Sequence, residues 1–173
     1  MISFTKSTLD MHKLHLLLLE RRALIAEDFQ KFNNSIQSFQ DFKLTYDGDS
    51  ISFTCASSSN LSNLYRVLEV SDYSQLQFDL SGSLRMSWNR ISSHLTIDDL
   101  LKFGILDESK VSYVATYEAS QESYSTECRL LGVYSSFAEL QLQFSKLYDL
   151  DDITVNVVKT NALEDLFLNG YQE

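Results

Sequence analysis

The chain has 173 residues, of which 44% are hydrophobic and 22% charged, and it contains no proline. This composition is typical of a folded protein and argues against general disorder. The formal net charge of −10 is uneven, since residues 96–173 carry five Lys/Arg against fourteen Asp/Glu, a net of −9. Because an acidic surface repels phosphates, we expect neither nucleic acid nor an anionic membrane as a direct partner.

The N-terminal segment predicts a long helix over about residues 8–42. Apolar residues recur at seven-residue intervals over residues 11–39, and Ser7 with Asp10 is expected to form a capping box at the start. An unbroken helix of this length would extend roughly 50 Å at 1.5 Å per residue. Two alternatives follow: the helix breaks at residues 33–35, or it projects and packs on a partner.

Strand-like patterns follow the predicted helix. Apolar alternation on both sides of Asp47 and Gly48 predicts a hairpin, because Asp-Gly favours the turn that joins two antiparallel strands. A short helix is expected over residues 61–68, and alternation over residues 75–88 predicts strand with a turn at 81–83. Thr96 is then expected to cap another helix.

The second half of the chain carries a similar succession of patterns. Residues 111–133 predict two strands joined at 119–122, Ser135 or Ser136 is expected to cap a helix, residues 152–159 predict a strand, and residues 162–171 a closing helix.

Taken together, the patterns predict an α+β protein that forms a single domain over residues 1–173. An N-terminal helical segment, 1–42, is expected to lie across a mainly antiparallel sheet. The order strand, strand, helix, strand, helix occurs over 43–105 and again over 111–171. This order indicates a ββαβα pseudo-repeat, with convergence of common local patterns as the alternative.

The residue patterns offer no recognisable catalytic or metal-binding motif. His12 and His15 stand three apart on the first helix, without a third ligand at suitable spacing. The stretch from Asp149 begins like a calcium loop but has Thr154 where that loop requires glycine. No glycine-rich phosphate loop or nucleophile motif is present. We therefore expect no enzyme, no metal and no cofactor.

The cysteines and the hydropathy of the chain indicate its cellular compartment. Cys55 and Cys128 lie in strand-like runs and are interpreted as unpaired structural thiols. The apolar run over residues 14–19 is too short for a membrane span or a normal signal-peptide core. Both observations predict a cytoplasmic protein.

Carboxylates of the acidic C-terminal half are the candidate functional residues. Asp98 and Asp99 fall in the first helical turn after Thr96, where carboxylates offset the helix dipole by ~0.3–1 kcal/mol each, which is a sufficient structural explanation. The alternative is an acidic face that binds a basic surface of a protein partner. The candidate partner-binding residues are Asp98, Asp99, Asp107, Glu108, Glu118, Glu122, Glu127, Asp149, Asp151 and Asp152.

The leading hypothesis is a small acidic, non-enzymatic binding protein. In its most concrete form it is an inhibitor from a phage or other mobile element that blocks a nucleic-acid-binding surface of a host protein, with carboxylates in place of phosphates. Steep weakening of binding by salt is the expected signature of such an interface.

Two other hypotheses stay open. Small size, acidity, an N-terminal helix and an antiparallel sheet loosely resemble type III secretion chaperones. That resemblance implies a chaperone or immunity-type protein that masks a partner segment, with homodimerisation through the N-terminal helix instead of a monomer. A hydrolase or nuclease with an unrecognised carboxylate site is the third hypothesis.

Overall fold

The computed structural model describes residues 1–31, 39–57, 60–71, 75–87, 90–120, 126–144 and 152–161. Within these ranges the chain forms ten strands and three α-helices. In chain order they are β1 (Ile2–Phe4), α1 (Met11–Lys31), β2 (Phe39–Tyr46), β3 (Ile51–Ser57), β4 (Asn60–Val70), β5 (Leu76–Phe78), β6 (Ser83–Met86), β7 (Arg90–Thr96), α2 (Ile97–Lys102), β8 (Val111–Ser120), β9 (Thr126–Tyr134), α3 (Phe137–Phe144) and β10 (Ile153–Lys159).

The described strands form two sheets. The larger has the order β7-β6-β5-β1-β10-β8-β9, and the smaller has the order β2-β3-β4. Every neighbouring pair is antiparallel except β1 and β10, which are parallel. The prediction of an α+β fold with mainly antiparallel sheet is therefore confirmed.

The central strand β1 was not predicted from the sequence. Its three residues, Ile2, Ser3 and Phe4, are all buried. The Phe4 ring meets the Phe78 ring of β5 edge-on, with 5.5 Å between centroids. Three residues are too few to show a period of two, so hydrophobic periodicity could not find this strand.

Helix α1 begins later and ends earlier than the sequence suggested. The Asp10 carboxylate accepts a hydrogen bond from the Lys13 backbone N–H, and Ser7 lies in a 3-10 turn, Lys6–Thr8. Asp10 is thus the cap itself, and the predicted Ser7–Asp10 capping box is wrong. Because Phe39 already begins β2, a helix that is continuous to residue 42 is also wrong. The expected break at 33–35 lies outside the described residues.

One apolar stripe of α1 packs into the interior of the protein. Leu14, Leu18, Ile25 and Phe29 are at most 1% exposed, and the helix lies against β7 and β2. The position of α1 across sheet strands agrees with the sequence interpretation. Leu18 and Ile25 belong to the seven-residue pattern, which therefore reflects packing in the core of the chain itself.

The predicted hairpin is present as β2 and β3. Tyr46 pairs with Ile51 across the turn, and Gly48 adopts a φ of +93°, a conformation that glycine takes without a steric penalty. The Asp47 carboxylate accepts the backbone N–H groups of Asp49 and Ser50. Local turn chemistry alone was enough to predict this element.

The helix expected over residues 61–68 is wrong, because these residues belong to β4. This strand pairs with β3, where Leu68 stands opposite Phe53, and two register shifts interrupt the pairing. Val67 and Val70 are buried with Leu68. A bulged strand departs from the period of two, so its apolar residues imitated helical spacing.

The predicted repeat fails with that helix. The first half contains successive strands where the ββαβα order requires a helix, and β2 and β3 belong to a different sheet from β8 and β9.

The second half agrees with its pattern where it is described, in β8, β9, α3 and β10. Ala119 and Ser120 still pair with β9, so the connection begins later than the predicted turn at 119–122. Ser136 caps α3 by accepting the Glu139 N–H. The closing helix over 162–171 lies outside the described residues. Among the described helices, none is long and apolar enough to cross a membrane.

Two leucines on opposite faces of α1 test the packing of the helix. Leu14 is fully buried and Leu16 is 51% exposed. We expect Leu14→Ala to lower the free energy of unfolding by about 2–5 kcal/mol, because it leaves a cavity in the core. Leu16→Ala should stay within about 0.5 kcal/mol of the original protein. Urea denaturation measures both, and equal losses would contradict the orientation of the helix.

The two thiols provide a second check. Cys55 on β3 is buried, and burial raises the pKa of its thiol to about 11, whereas Cys128 on β9 is exposed. We expect iodoacetamide at mildly alkaline pH to alkylate Cys128 in the native protein and Cys55 only after denaturation. Mass spectrometry of tryptic peptides distinguishes the two sites. Rapid native labelling of Cys55 would contradict the position of β3.

Candidate interaction surface

Three of the predicted carboxylate residues occupy backbone positions at one end of β8, β9 and β10. Ile153 pairs with Tyr117, so Asp152 comes next to the register position of Glu118. Glu118 pairs with Cys128, and Glu127 pairs with Ala119. We call Glu118, Glu127 and Asp152 the acidic end of the sheet. Asp152 is exposed.

Three further predicted residues belong to segments that join this end in sequence. Glu122 falls in 121–125, between β8 and β9, and Asp149 and Asp151 fall in 145–151, directly before Asp152. All three lie outside the described residues.

The remaining four predicted residues lie elsewhere. Asp98 and Asp99 belong to α2, which follows β7 at the far edge of the large sheet from β9. Asp107 and Glu108 precede β8, at the strand end away from Ser120. The described residues therefore do not gather the predicted carboxylates on one face. Three of them share one end of the sheet, with Glu127 on the opposite face from Glu118 and Asp152, and the other described members are scattered.

Asp99 has a structural role within the protein. Its two carboxylate oxygens accept from the Arg21 guanidinium at 2.6 and 3.1 Å, and it forms the predicted capping box with Thr96. Burial raises the pKa of Asp99, but hydrogen bonds from Arg21 and Thr96 outweigh burial and hold the pKa below its ordinary value. Arg21 also donates to the His94 carbonyl, so this carboxylate ties α1 to the β7–α2 corner.

Glu108 is also used internally. Its Oε1 accepts from the Tyr113 hydroxyl at 3.0 Å and from the Phe137 backbone N–H at 2.7 Å. Burial, together with the Glu108 charge, raises the pKa of Tyr113. The carboxylate thus joins the start of β8 to the first turn of α3, which is a role the sequence did not reveal.

Asp107 is exposed but paired. Hydrogen bonds from Lys110 and Ser109 lower the pKa of Asp107 to about 2, with 2.8 Å between the Lys110 nitrogen and the carboxylate. Of the four scattered residues, Asp98 remains as an exposed carboxylate on the first turn of α2.

An open apolar edge adjoins the acidic end. β9 is the last strand of the large sheet and, within the described residues, it pairs with β8 alone. It exposes three large apolar side chains: Leu130 at 66%, Leu131 at 43% and Val133 at 59%. Sequence patterns predicted this strand, but its place at an edge depends on the order of strands, which local periodicity does not encode.

A bulge shapes this edge. Thr116 pairs with Leu130 and Ala115 with Gly132, which leaves Leu131 as an extra residue in β9. Natural proteins often interrupt an edge strand in this way and thereby limit its pairing with other chains. Here the interruption follows a regular stretch of five paired residues, 126–130.

A second polar cluster contains serine, histidine and aspartate but does not have the geometry of a nucleophilic site. Ser92 Oγ donates to Asp28 Oδ2 at 2.9 Å, and His94 Nε2 lies 3.3 Å from the same oxygen. Ser92 is fully buried and bonded to the carboxylate instead of the imidazole. A hydrolytic triad needs the reverse order, with the serine hydroxyl presented to histidine and to substrate. This cluster anchors α1 to β7.

Two other candidate sites are His15 on α1 and a cleft lined by lysines. His15 stacks on Tyr46 with 4.6 Å between ring centroids, and no group of three metal-ligating side chains occurs among the residues that the structure describes. A cleft of about 440 Å³ beside the start of α1 is lined by Lys13, Lys110 and Lys159 together with Asp10 and Asp107. Aspartates pair two of its lysines, which removes most of the positive potential an anion site needs.

A search of protein-family models, of curated proteins and of solved structures finds no match to this chain.

The Arg21–Asp99 pair leads to a pH prediction. Because the pKa of Asp99 is lower in the folded chain than its ordinary value of 3.8, the unfolded chain binds this proton more tightly. The carboxylate therefore stabilises the fold above pH 3.8, and that contribution is lost as the pH falls through the folded-state pKa. We expect Asp99→Asn to cost about 2 kcal/mol at neutral pH and much less in strong acid.

The matched control is Asp98→Asn, in the same helical turn. This exposed carboxylate contributes through the helix dipole, so its loss should cost about 0.5 kcal/mol. Urea denaturation over a pH series measures both variants. An Asp99→Asn defect that is no larger than the control, or that persists unchanged in acid, would contradict the internal role of Asp99.

Proposed function

We propose that the protein is a non-enzymatic binding protein that recognises a basic surface of another protein with the acidic end and the neighbouring edge of β9. The observation that carries this proposal is the position of the exposed Leu130 and Val133 on the edge strand of the described sheet, on the same face as the register position of Glu118. Apolar contacts supply affinity at an interface, and charges at its margin supply orientation and association rate.

The local charge supports a basic partner. Residues 118–152 include seven Asp/Glu against two Lys/Arg, a net of −5. Charges within about 8 Å of one another act together at physiological salt. Glu118 and Asp152 occupy adjacent register positions on neighbouring strands, which lie about 4.8 Å apart. Glu127 stands opposite Ala119 and therefore belongs to the other face of the sheet. The acidic end thus supports a negative potential next to the apolar residues of β9.

In its specific form, the proposal makes the chain a cytoplasmic inhibitor from a phage or other mobile element. The partner surface would then be one that normally binds nucleic acid, because such surfaces are rich in Lys and Arg. Carboxylates at the acidic end would occupy positions of phosphates. Competition between the protein and DNA for the partner is the property that separates this form from simple adhesion to a basic protein.

The chaperone-like alternative receives less support. It required the apolar stripe of α1 to bind the partner or a second copy, and Leu14, Leu18 and Phe29 of that stripe are fully buried within the chain itself. The exposed α1 leucines, Leu16 and Leu24, are single apolar residues on an otherwise polar helical face, which is ordinary for a soluble surface.

Neutralisation of the acidic end tests the proposed function. The variant carries Glu118→Gln, Glu127→Gln and Asp152→Asn. We expect capture of basic proteins from a bacterial lysate, at low salt, to fall about tenfold. Three ion pairs at the margin of the interface, of about 0.5 kcal/mol each, would be lost. Quantitative mass spectrometry of the captured proteins is the measurement, with isoelectric point as the sorting variable.

The matched control removes the same charge from another part of the surface. It carries Glu20→Gln, Glu27→Gln and Asp49→Asn, all at exposed positions. Capture by this variant should equal that of the original protein. If both variants lose capture equally, only net charge matters and the acidic end is not a binding surface.

A further inference from the structure

We propose that the outer face of the large sheet binds a small carboxylate ligand at Arg85 of β6. The outer face is the side of this sheet opposite the buried residues Ile2, Phe78 and Leu84. The site lies apart from the acidic end, and the proposal does not depend on the proposed function. The ligand is a monoanion whose carboxylate binds the guanidinium and whose neighbouring polar group points toward β1 and β10.

Arg85 is a partly buried cation without an anionic partner. Its Nη1 donates to the Met1 sulfur at 3.5 Å, and a thioether is a weak acceptor. Among the described residues, its Nε is the only enclosed side-chain polar atom that lacks a hydrogen-bond partner. None of the ion pairs within the described ranges includes Arg85. Because a cation withdrawn from water costs free energy unless an anion pairs with it, this guanidinium is the candidate contact for one.

The contact with Met1 defines where the guanidinium lies. Strands β6 and β1 are both neighbours of β5, so a side chain that starts on β6 and reaches Met1 passes over β5. Leu84 and Met86 are buried on the inner side, which puts Arg85 on the outer face, because side chains alternate along a strand. The guanidinium therefore lies over the interior of the sheet instead of at its rim.

Three further polar side chains continue from Arg85 across the outer face. Ser3 of β1 stands opposite Gln77 of β5 and opposite Asn156 of β10, and the pairing of β5 with β6 places Gln77 level with Arg85. Neighbouring strands lie about 4.8 Å apart, so the row from Gln77 to Asn156 spans roughly 10 Å. A ligand of a few bonds in length can contact the whole row.

The side chains of this row have unused hydrogen-bonding capacity. Ser3 is 4% exposed, and neither its hydroxyl nor the amides of Gln77 and Asn156 bond to another described side chain or backbone group. These atoms are not enclosed as the Arg85 Nε is, so a ligand can reach them. A solvated sheet face is ordinarily polar, but a partly buried guanidinium beside a buried serine distinguishes this row from such a surface.

Local charge favours a carboxylate over a phosphate. Asp79 lies two residues beyond Gln77, where its carboxylate accepts from the Ser83 N–H and the Ser81 hydroxyl. One cation near one anion suits a monoanion, whereas a phosphate dianion would meet the Asp79 charge without a second cation to offset it. The planar guanidinium also matches the planar carboxylate.

N-acetylglycine is the probe for this site, because it carries one carboxylate and one amide. Its twin, N-acetylglycinamide, has no charge, and inorganic phosphate is the third ligand. The buffer is mildly alkaline and contains chloride as its anion, so that phosphate is mainly a dianion. NMR titration of the full chain follows the backbone amides of Ser3, Gln77 and Arg85. We expect N-acetylglycine to bind with a dissociation constant on the order of 1 mM, about tenfold more tightly than the other two ligands.

Substitutions at Arg85 locate the bound carboxylate. Arg85→Gln should weaken binding of N-acetylglycine at least about tenfold. Arg85→Lys should weaken it about fivefold, because lysine keeps the charge but lacks the planar fork. Arg22→Gln, at an exposed arginine of α1, is the matched control and should leave binding unchanged.

Calorimetry separates a ligand site from a structural role of Arg85. Arg85→Gln should unfold at the temperature of the original protein or above it, because a partly buried cation without an anion no longer has to be desolvated. N-acetylglycine should raise the unfolding temperature of the original protein, since a ligand of the folded chain stabilises it, and should leave that of Arg85→Gln unchanged.

The opposite results overturn the proposal. Equal binding of N-acetylglycine and its twin, or no binding of either, excludes a carboxylate site on the outer face. Tighter binding of phosphate rejects the carboxylate as the ligand class. A lower unfolding temperature of Arg85→Gln assigns the guanidinium to the fold, and equal losses in Arg85→Gln and Arg22→Gln reduce the effect to net charge.

Discussion

The parallel pairing of β1 with β10 is the contact on which the large sheet depends. Ile2 stands opposite Val155 on one side and opposite Phe78 on the other. Three residues near the N-terminus thus join β5, β6 and β7 to β10, β8 and β9. The burial of Ile2 and Phe4 shows why so short a strand suffices: apolar contacts on its core-facing side add to the ladder hydrogen bonds on both edges.

The acidic composition has two structurally different components. Asp99 and Glu108 accept hydrogen bonds from groups on other elements, Arg21 for the first and Tyr113 for the second. They contribute to the net charge of the sequence but hold elements together. Asp152, in contrast, is exposed at the end of the sheet. Net charge is therefore an imperfect measure of an acidic interface, because some of the acidic side chains make contacts within the protein.

Local chemistry determined what the sequence could predict. The turn at Gly48, the capping box at Thr96 and the strand β10 each depend on a few adjacent residues, and each is present. The short strand β1 and the edge position of β9 depend on pairing between distant segments, and the register shifts of β4 disturb its periodicity. No periodic pattern encodes those pairings, so the internal roles of Asp99 and Glu108 and the place of β9 at the edge of the described sheet became visible only in three dimensions.

The closure of β1 against β10 also sets an order of events during synthesis. At about 5–20 residues per second, a ribosome needs roughly eight to thirty seconds to pass from residue 2 to residue 155. Until β5 is synthesised, Ile2 and Phe4 lack both neighbouring strands, and until β10 is synthesised they lack one, so the sheet cannot be completed. Non-local closure of this kind slows folding, so the large sheet is completed only after β10 has been synthesised.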